Sequence, residues 1–162
     1  MLTPKMETAL NDQINAELYS EYLYLAVAAW FEAEGLSGCA AWMKAQAAEE
    51  HGHAMKIFEF VNERRGRVTL QAIDEPPKEW SSALAAFEDA FKHEQLITGR
   101  IDDLVNMAAG EKDNATGAFL QWFVTEQVEE EASVDSIVQK LKMAANAPGA
   151  LLMLDHALGQ RQ

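Results

Sequence analysis

Hydrophobic residues along this chain recur in steps of three and four, the spacing that lines side chains up on one face of a helix. Four long stretches carry such a stripe. The first reads Leu10, Ile14, Glu17, Tyr24, Ala28, and the second Met43, Ala47, Glu50, Ala54, Ile57, Val61. The third reads Phe87, Phe91, Glu94, Thr98, Ile101, Val105, and the fourth Leu120, Phe123, Gln127, Glu130, Val134, Ile137, Leu141. Each stripe is broken near its middle by a carboxylate, on the very face that has to be buried.

Local signals set the predicted ends of these helices. Thr3-Pro4 offers a capping hydroxyl followed by proline at the first helical position, and the first helix runs to about Glu34 and stops at Gly35. Ser37 is the expected cap of the second, which continues to Gly66. Ser81 or Ser82 opens the third, and Gly110 closes it. Asp113 caps the fourth, which reaches roughly Asn146 before Pro148-Gly149 breaks it, and a short fifth helix covers about Ala150 to Leu158. The first and second helices, and the third and fourth, are joined by a few residues only, so each pair is an antiparallel hairpin. Between the pairs lies Arg67 to Trp80, with Pro76-Pro77 inside it. Extended, that segment reaches about 46 Å at ~3.3 Å per residue, and the second helix is about 44 Å long at ~1.5 Å per residue. The connection can therefore run the length of the bundle. The predicted fold is all-α: one domain over 1–162, with a four-helix bundle at about 3–146, one long crossover and a fifth helix at about 150–158.

Glu17, Glu50, Glu94 and Glu130 each fall within about one turn of the centre of their own helix, so aligned helices bring all four to one height. A carboxylate in an apolar interior is costly unless neutralised or paired. Four of them together repel, and a bound cation is the simplest remedy. Glu50 and His53, three apart, can reach one ion, and Gln127-x-x-Glu130 repeats the spacing on the fourth helix. Carboxylates with one imidazole suit Fe(II) or Mn(II), whereas calcium prefers oxygen alone. The bland alternative, a stripe misplaced by one residue that leaves each acid in solvent, requires four coincident errors. The spacing of His51 and His93 turns them away from the stripe, and they read as ordinary surface or core histidines.

Composition narrows the function classes. Asp and Glu number 26 against 13 Lys and Arg, a formal net charge of −13, which disfavours nucleic acid and anionic membranes as partners. A single cysteine, Cys39, excludes an internal disulfide or a multi-cysteine metal site. Residues 1–9 contain Pro4, Lys5 and Glu7 and no apolar run, and no stretch has the length of a membrane span, so the expected location is the cytoplasm. The fifth helix is apolar over most of its circumference through Leu151, Leu152, Met153, Leu154, Ala157 and Leu158. Val68, Leu70, Ile73 and Trp80 in the crossover likewise need cover, and a neighbouring subunit is the expected source.

Four segments carry a specific resemblance: Gln13-Ile-Asn-Ala-Glu17-Leu-Tyr-Ser-Glu-Tyr-Leu-Tyr24, Glu49-Glu50-x-x-His53, His93-Glu94-Gln95-Leu96-Ile97-Thr98, and Phe119-Leu-Gln-Trp122-Phe-Val-Thr-Glu126-Gln127-x-Glu129-Glu130-Glu131. On these, the chain resembles the non-haem bacterial and archaeal ferritins from Leu2 through Leu158, a family with the single-crossover bundle described above. The resemblance implies iron storage with ferroxidase activity. Glu17, Glu50 and His53 would hold a first iron, and Glu50 would bridge to a second held by Glu94 and Glu130, with Gln127 close by. A third iron site would use Glu49, Glu126 and Glu129 with Glu130 shared. Tyr24 would be an electron donor to the metals or a hydrogen bonder beside them, an ordinary core tyrosine being the plainer reading. Trp122 reads mainly as packing. Fe(II) and O₂ or peroxide would be the substrates, and the assembly a 24-subunit homo-oligomeric cage with the fifth helix at its four-fold axes.

Departures from related families matter as much. Haem-binding bacterioferritins carry a second Glu-x-x-His on the fourth helix and methionine after the second-helix glutamate. This chain has Gln127-x-x-Glu130 and His51 there, so no haem is expected. Many ferritins line a three-fold channel with acids near the start of the fourth helix, where only Asp113 precedes Thr116-Gly117-Ala118-Phe119 here. A DNA-protecting mini-ferritin would lack the fifth helix, and a rubrerythrin-like peroxidase would need more cysteines. A metal-free helical cage is the remaining rival.

Overall fold

The computed structural model describes residues 1–161 and contains five helices and, among those residues, no strands: α1 Pro4–Ala33, α2 Ser37–Glu63, α3 Ala83–Gly110, α4 Asn114–Ala144 and α5 Pro148–Leu158. The predicted hairpins are the two dominant packing pairs, α1 on α2 and α3 on α4, and α5 lies across α2 and α4. The crossover climbs α1. Asn11 Nδ2 donates to the Arg67 carbonyl at 2.9 Å and Asn11 Oδ1 accepts from the Thr69 N–H at 2.7 Å. Asn15 Nδ2 donates to the Ala72 carbonyl at 3.0 Å, and farther up the Trp80 ring meets Trp30 edge-on at 5.9 Å. From Asn11 to Trp30 is roughly 28 Å at ~1.5 Å per residue, so the connection returns the chain to the other end of the bundle as predicted.

The helix ends correct several expectations. Thr3, Ser82 and Asp113 cap α1, α3 and α4 through side-chain oxygens that accept from Met6, Ala85 and Thr116 N–H. Ser37 does not cap α2: it is already helical, the cap position is Leu36, and Leu36 makes no side-chain cap bond. Asp155 of α5 does the work instead, accepting from the Cys39 N–H at 2.8 Å and setting a negative charge at the helix N-terminus. That approach requires Gly38, because a Cβ there would lie 1.7 Å from the Asp155 carbonyl oxygen. Burial, with Asp155 adding to it, pushes the Cys39 thiol up to about 12.

α2 ends at Glu63 rather than at Gly66, whereas α3 ends at Gly110 as expected, the turn beyond it being made by Lys112. Gly35, Arg65 and Lys112 hold φ of 77°, 59° and 57° in matching turns, each followed by an N–H returning to a carbonyl five residues back. Only one of the three is glycine, and taking Gly66 as the stop overran the end of α2. Pro148 opens α5 instead of merely stopping α4, since its fixed φ suits the first helical position.

Two apolar clusters fill the interior. One gathers Tyr24, Phe31, Trp42, Phe87, Val134 and Val138, and the other Met6, Leu10, Ile57, Ile101, Leu120 and Phe123. Trp80 is buried against Trp30 within the same chain, so it makes no demand on a neighbour, and Val68 is half-buried. Leu70 and Ile73 stay 65% and 40% exposed, and on α5 Leu152 and Met153 stay 62% and 75% exposed while Leu158 is buried. Among the described residues no helix is long and apolar enough to cross a membrane.

Candidate metal centre

The interruptions in the four stripes fall between the two apolar clusters and form a buried polar belt. α1 supplies Glu17, α2 supplies Glu50 and His53, α3 supplies Glu94, and α4 supplies Gln127 and Glu130; all six are buried. The donor atoms of Glu17, Glu50, His53, Glu94 and Glu130, joined by the half-buried Glu126, form three overlapping groups, the atoms of each within 4.8 Å of one another: Glu17, Glu50 and His53; Glu50, Glu94 and Glu130; and His53, Glu126 and Glu130. Glu50 belongs to the first two and His53 joins the first and third.

Hydrogen bonds orient the carboxylates. Gln13 Nε2 donates to Glu17 Oε1 at 2.8 Å, while Glu17 Oε2 is buried with no partner. Gln46 Nε2 donates to Glu50 Oε1 at 3.0 Å and to Glu130 Oε2 at 2.5 Å. His53 Nδ1 lies 3.3 Å from Glu50 Oε2, and its Nε2 lies 3.7 Å from Glu126 Oε1 and 4.0 Å from Glu130 Oε1. The Tyr24 hydroxyl donates to Glu94 Oε1, and Gln127 Nε2 donates to Glu94 Oε2 at 3.2 Å. Gln127 thus turns its amide nitrogen, not its oxygen, toward the acids.

Burial dominates the electrostatics. It raises Glu17 from 4.5 to about 8, with the Glu50 charge adding to it, and raises Glu130 to about 7, with Glu94 adding to it. Glu50 lies well above its ordinary value through burial and the Glu94 and Glu130 charges, and Glu94 is raised mainly by burial. The Tyr24 phenol is pushed up by burial and by Glu94, so it stays a hydrogen-bond donor. A buried carboxylate oxygen with no donor, in a group of acids held near protonation, fits replacement of those protons by a cation.

The other residues singled out by sequence spread more widely. Glu126 is half-buried and reaches His53. Glu49 is exposed and paired with Arg161 Nη2 at 2.8 Å, and Glu129 is exposed and outside the three donor groups. His51 is exposed and pairs with Glu21 at 3.1 Å. His93 faces Ser20 Oγ at 2.6 Å, and burial lowers it to about 4, so it is a neutral, partnered ring outside the belt. Trp122 is more than packing: it is 40% exposed, sets its ring edge-on to His53 at 5.5 Å, and carries the Lys56 ammonium 4.4 Å above its face. Asp113 is taken up by Arg64 at 3.1 Å and by its own cap. Gln13 and Gln46 were missed as members of the centre, although the spacing Gln-x-x-x-Glu before both Glu17 and Glu50 was there to be read.

A single-crossover helical bundle with an inward Glu-x-x-His and carboxylates from all four helices defines a class, the carboxylate-bridged metalloprotein bundles. The chain belongs to the ferritin family, whose ferritin-like domain matches residues 7–144. It is 45% identical over 161 residues to a bacterial non-heme ferritin of Bacteroides fragilis, covering 99% of this chain and 100% of that one. It is 39% identical over 155 residues to the bacterial non-heme ferritin of Campylobacter jejuni, covering 96% and 93%. Among solved structures, an open pore ferritin from the hyperthermophilic archaeon Archaeoglobus fulgidus superposes with a TM-score of 0.99 at 56% identity, both chains covered in full.

Proposed function

We propose that this protein stores iron: it takes up Fe(II), oxidises it at the buried centre with O₂ or hydrogen peroxide, and retains the ferric product as mineral inside a 24-subunit homo-oligomeric cage in the cytoplasm. The observation that carries this reading is the sharing of Glu50 between two donor groups that otherwise come from different helices. Such an arrangement suits two cations bridged by one carboxylate. Fe(II) would occupy Glu17, Glu50 and His53 on one side and Glu50, Glu94 and Glu130 on the other. Glu126, with Glu130 and His53, would serve a third position toward the open side of α2 and α4, with Glu49 and Glu129 at its rim. No haem enters this scheme.

Each Fe(II) gives up one electron, and the pair reduces O₂ with two protons to H₂O₂, or H₂O₂ with two protons to two waters. The chain's part is electrostatic and geometric. Ionised Glu17, Glu50, Glu94 and Glu130 favour the more highly charged ferric product. Tyr24 holds Glu94 by its hydroxyl and would act as a hydrogen bonder beside the metals. Gln127 holds the same carboxylate from the opposite helix and acts beside the metal rather than on it.

Stopped-flow absorbance after adding about two Fe(II) per subunit in air, one for each of two metal positions, tests the reading. A fast ferric signal in the wild type that is absent from the Glu50→Ala/His53→Ala variant is expected. Slow traces identical in both would refute it.

A further inference from the structure

Two buried glutamines link the four buried acids of the centre to arginines that touch none of those four. Gln13 and Gln46 each lie four residues before a belt carboxylate, Glu17 and Glu50, on the same helical face. Each donates its amide N–H to that acid, Gln13 Nε2 to Glu17 Oε1 at 2.8 Å and Gln46 Nε2 to Glu50 Oε1 at 3.0 Å. At the opposite end each amide oxygen accepts from an arginine of another element. Arg100 Nε, from α3, donates to Gln13 Oε1 at 3.0 Å, and Arg161 Nη1, three residues past α5, donates to Gln46 Oε1 at 3.1 Å.

Both arginines are themselves anchored. Arg100 Nη2 donates to the Asp12 carbonyl at 3.1 Å. Arg161 Nη2 donates to Glu49 Oε2 at 2.8 Å, and its guanidinium lies 4.5 Å over the Trp42 ring. The device is built twice, on two helices, with the same order of groups.

A carboxamide has a donor end and an acceptor end, and a guanidinium can only donate. An arginine on the amide oxygen therefore commits the amide nitrogen to the carboxylate and polarises that bond. The commitment selects oxygens. Gln46 occupies Glu50 Oε1 and Glu130 Oε2, which leaves Glu50 Oε2 and Glu130 Oε1, the two oxygens nearest His53. Gln13 occupies Glu17 Oε1 and leaves Oε2, the buried oxygen without a partner.

We propose that Arg100 and Arg161 are positioning residues of the metal centre, each acting through its glutamine to fix which oxygens of Glu17, Glu50 and Glu130 face the cation. The inference rests on the metal-binding part of the proposed function and is independent of whether bound iron is oxidised. Carboxylates free to rotate lose affinity and coordination geometry together, so both readouts respond.

The test is anaerobic titration of the full-length, assembled protein with Co(II), followed by calorimetry and by the visible absorption that reports coordination geometry. Gln46→Leu is expected to weaken Co(II) binding about ten-fold, the usual effect of removing a partner that orients a metal ligand. Arg161→Ala, whose fold is checked by circular dichroism and by the assembled size, is expected to weaken it about three- to five-fold, the loss of the hydrogen bond to Gln46, and to alter the absorption band. In the Gln46→Leu background Arg161→Ala should have no further effect, and Arg161→Lys should recover part of the loss. The Gln13 and Arg100 pair should behave alike. Wild type that binds no Co(II) would overturn the metal-centre reading and this inference with it. Wild type that binds Co(II), with an unchanged Arg161→Ala variant or with effects that multiply in the double variant, would overturn the inference alone.

Discussion

Replacing Glu17 by glutamine separates what the belt costs the fold from what it does for a metal. Glu17 is buried and raised from 4.5 to about 8, chiefly by burial and then by the Glu50 charge. An acid raised in the folded state holds its proton more tightly there than in the unfolded chain. Its contribution to stability is therefore complete below pH 4.5 and is lost progressively as pH rises toward 8. At pH 7 the loss amounts to roughly 3 kcal/mol per subunit, at about 1.4 kcal/mol per pH unit. Glutamine has nearly the same shape and cannot ionise. Its carbonyl keeps the Gln13 hydrogen bond, and its amide replaces the unpartnered Oε2 with a donor beside Glu50. Metal-free Glu17→Gln should thus be more stable than wild type at pH 7, by roughly 6–12 °C in Tm for a chain of this size, and equal to it near pH 4.5. Adding Zn(II), which binds such ligands without redox chemistry, should raise the wild-type Tm more than that of the variant and close the gap. Thermal unfolding followed by circular dichroism, with chelator and then with Zn(II), measures both differences. A variant no more stable than wild type at pH 7, or one whose advantage is the same at pH 4.5, would refute the reasoning.

Three further outcomes follow from the helix ends. Gly38→Ala forces a Cβ against the Asp155 carbonyl and should cost about 1–3 kcal/mol, seen as a lower Tm and as faster proteolysis between α4 and α5. Arg65→Gly and Lys112→Gly relieve left-handed backbone at φ 59° and 57° and should each stabilise by about 0.5–1 kcal/mol, read from denaturant midpoints. Burial opposes ionisation of Asp113, but hydrogen bonds from Thr116 and Arg64 outweigh it and bring the group from 3.8 down to about 2. Its contribution is therefore present above pH 3.8 and disappears as pH falls through 2; Asp113→Ala should lose about 1 kcal/mol of cap energy at pH 7 and show a shallower acid transition.

The fold was legible because its signals are redundant: four stripes, three side-chain caps and a crossover long enough to traverse the bundle agree with one another. The belt was legible for a related reason, since a lone acid in an apolar stripe is conspicuous, and Glu17, Glu50, Glu94 and Glu130 do converge. What escaped the sequence depends on partners distant along the chain. Ser37 looked like a cap because nothing local reveals that Asp155, 118 positions further on, reaches the same helix end. Arg65 and Lys112 escaped because a hydrogen-bonded turn can hold a side chain at positive φ where glycine would be expected. Gln13 and Gln46 escaped because glutamine reads as solvated until its two ends are seen to be engaged.

The belt also explains how a protein can keep a site that works against its own stability. The apolar clusters on either side contain residues such as Tyr24, Phe31, Phe87, Leu10, Ile101 and Phe123 with essentially no exposure, and each cluster draws on all four long helices. Packing on both sides sets the relative height and rotation of those helices, so the belt between them need not satisfy every one of its own polar groups. That is the condition for leaving Glu17 Oε2 without a donor and for crowding Glu50, Glu94 and Glu130 together. A centre whose hydrogen bonds were all satisfied internally would resist a cation. This one keeps its acids near protonation, so an arriving divalent ion exchanges with protons rather than breaking a network, and uptake should release protons and strengthen with rising pH up to about 8, where Glu17 titrates. Proton release measured in weakly buffered solution during Zn(II) addition checks this directly. Uptake without proton release at pH 6 would mean that the acids are already ionised in the empty protein, and that the cost assigned to them is carried by something else.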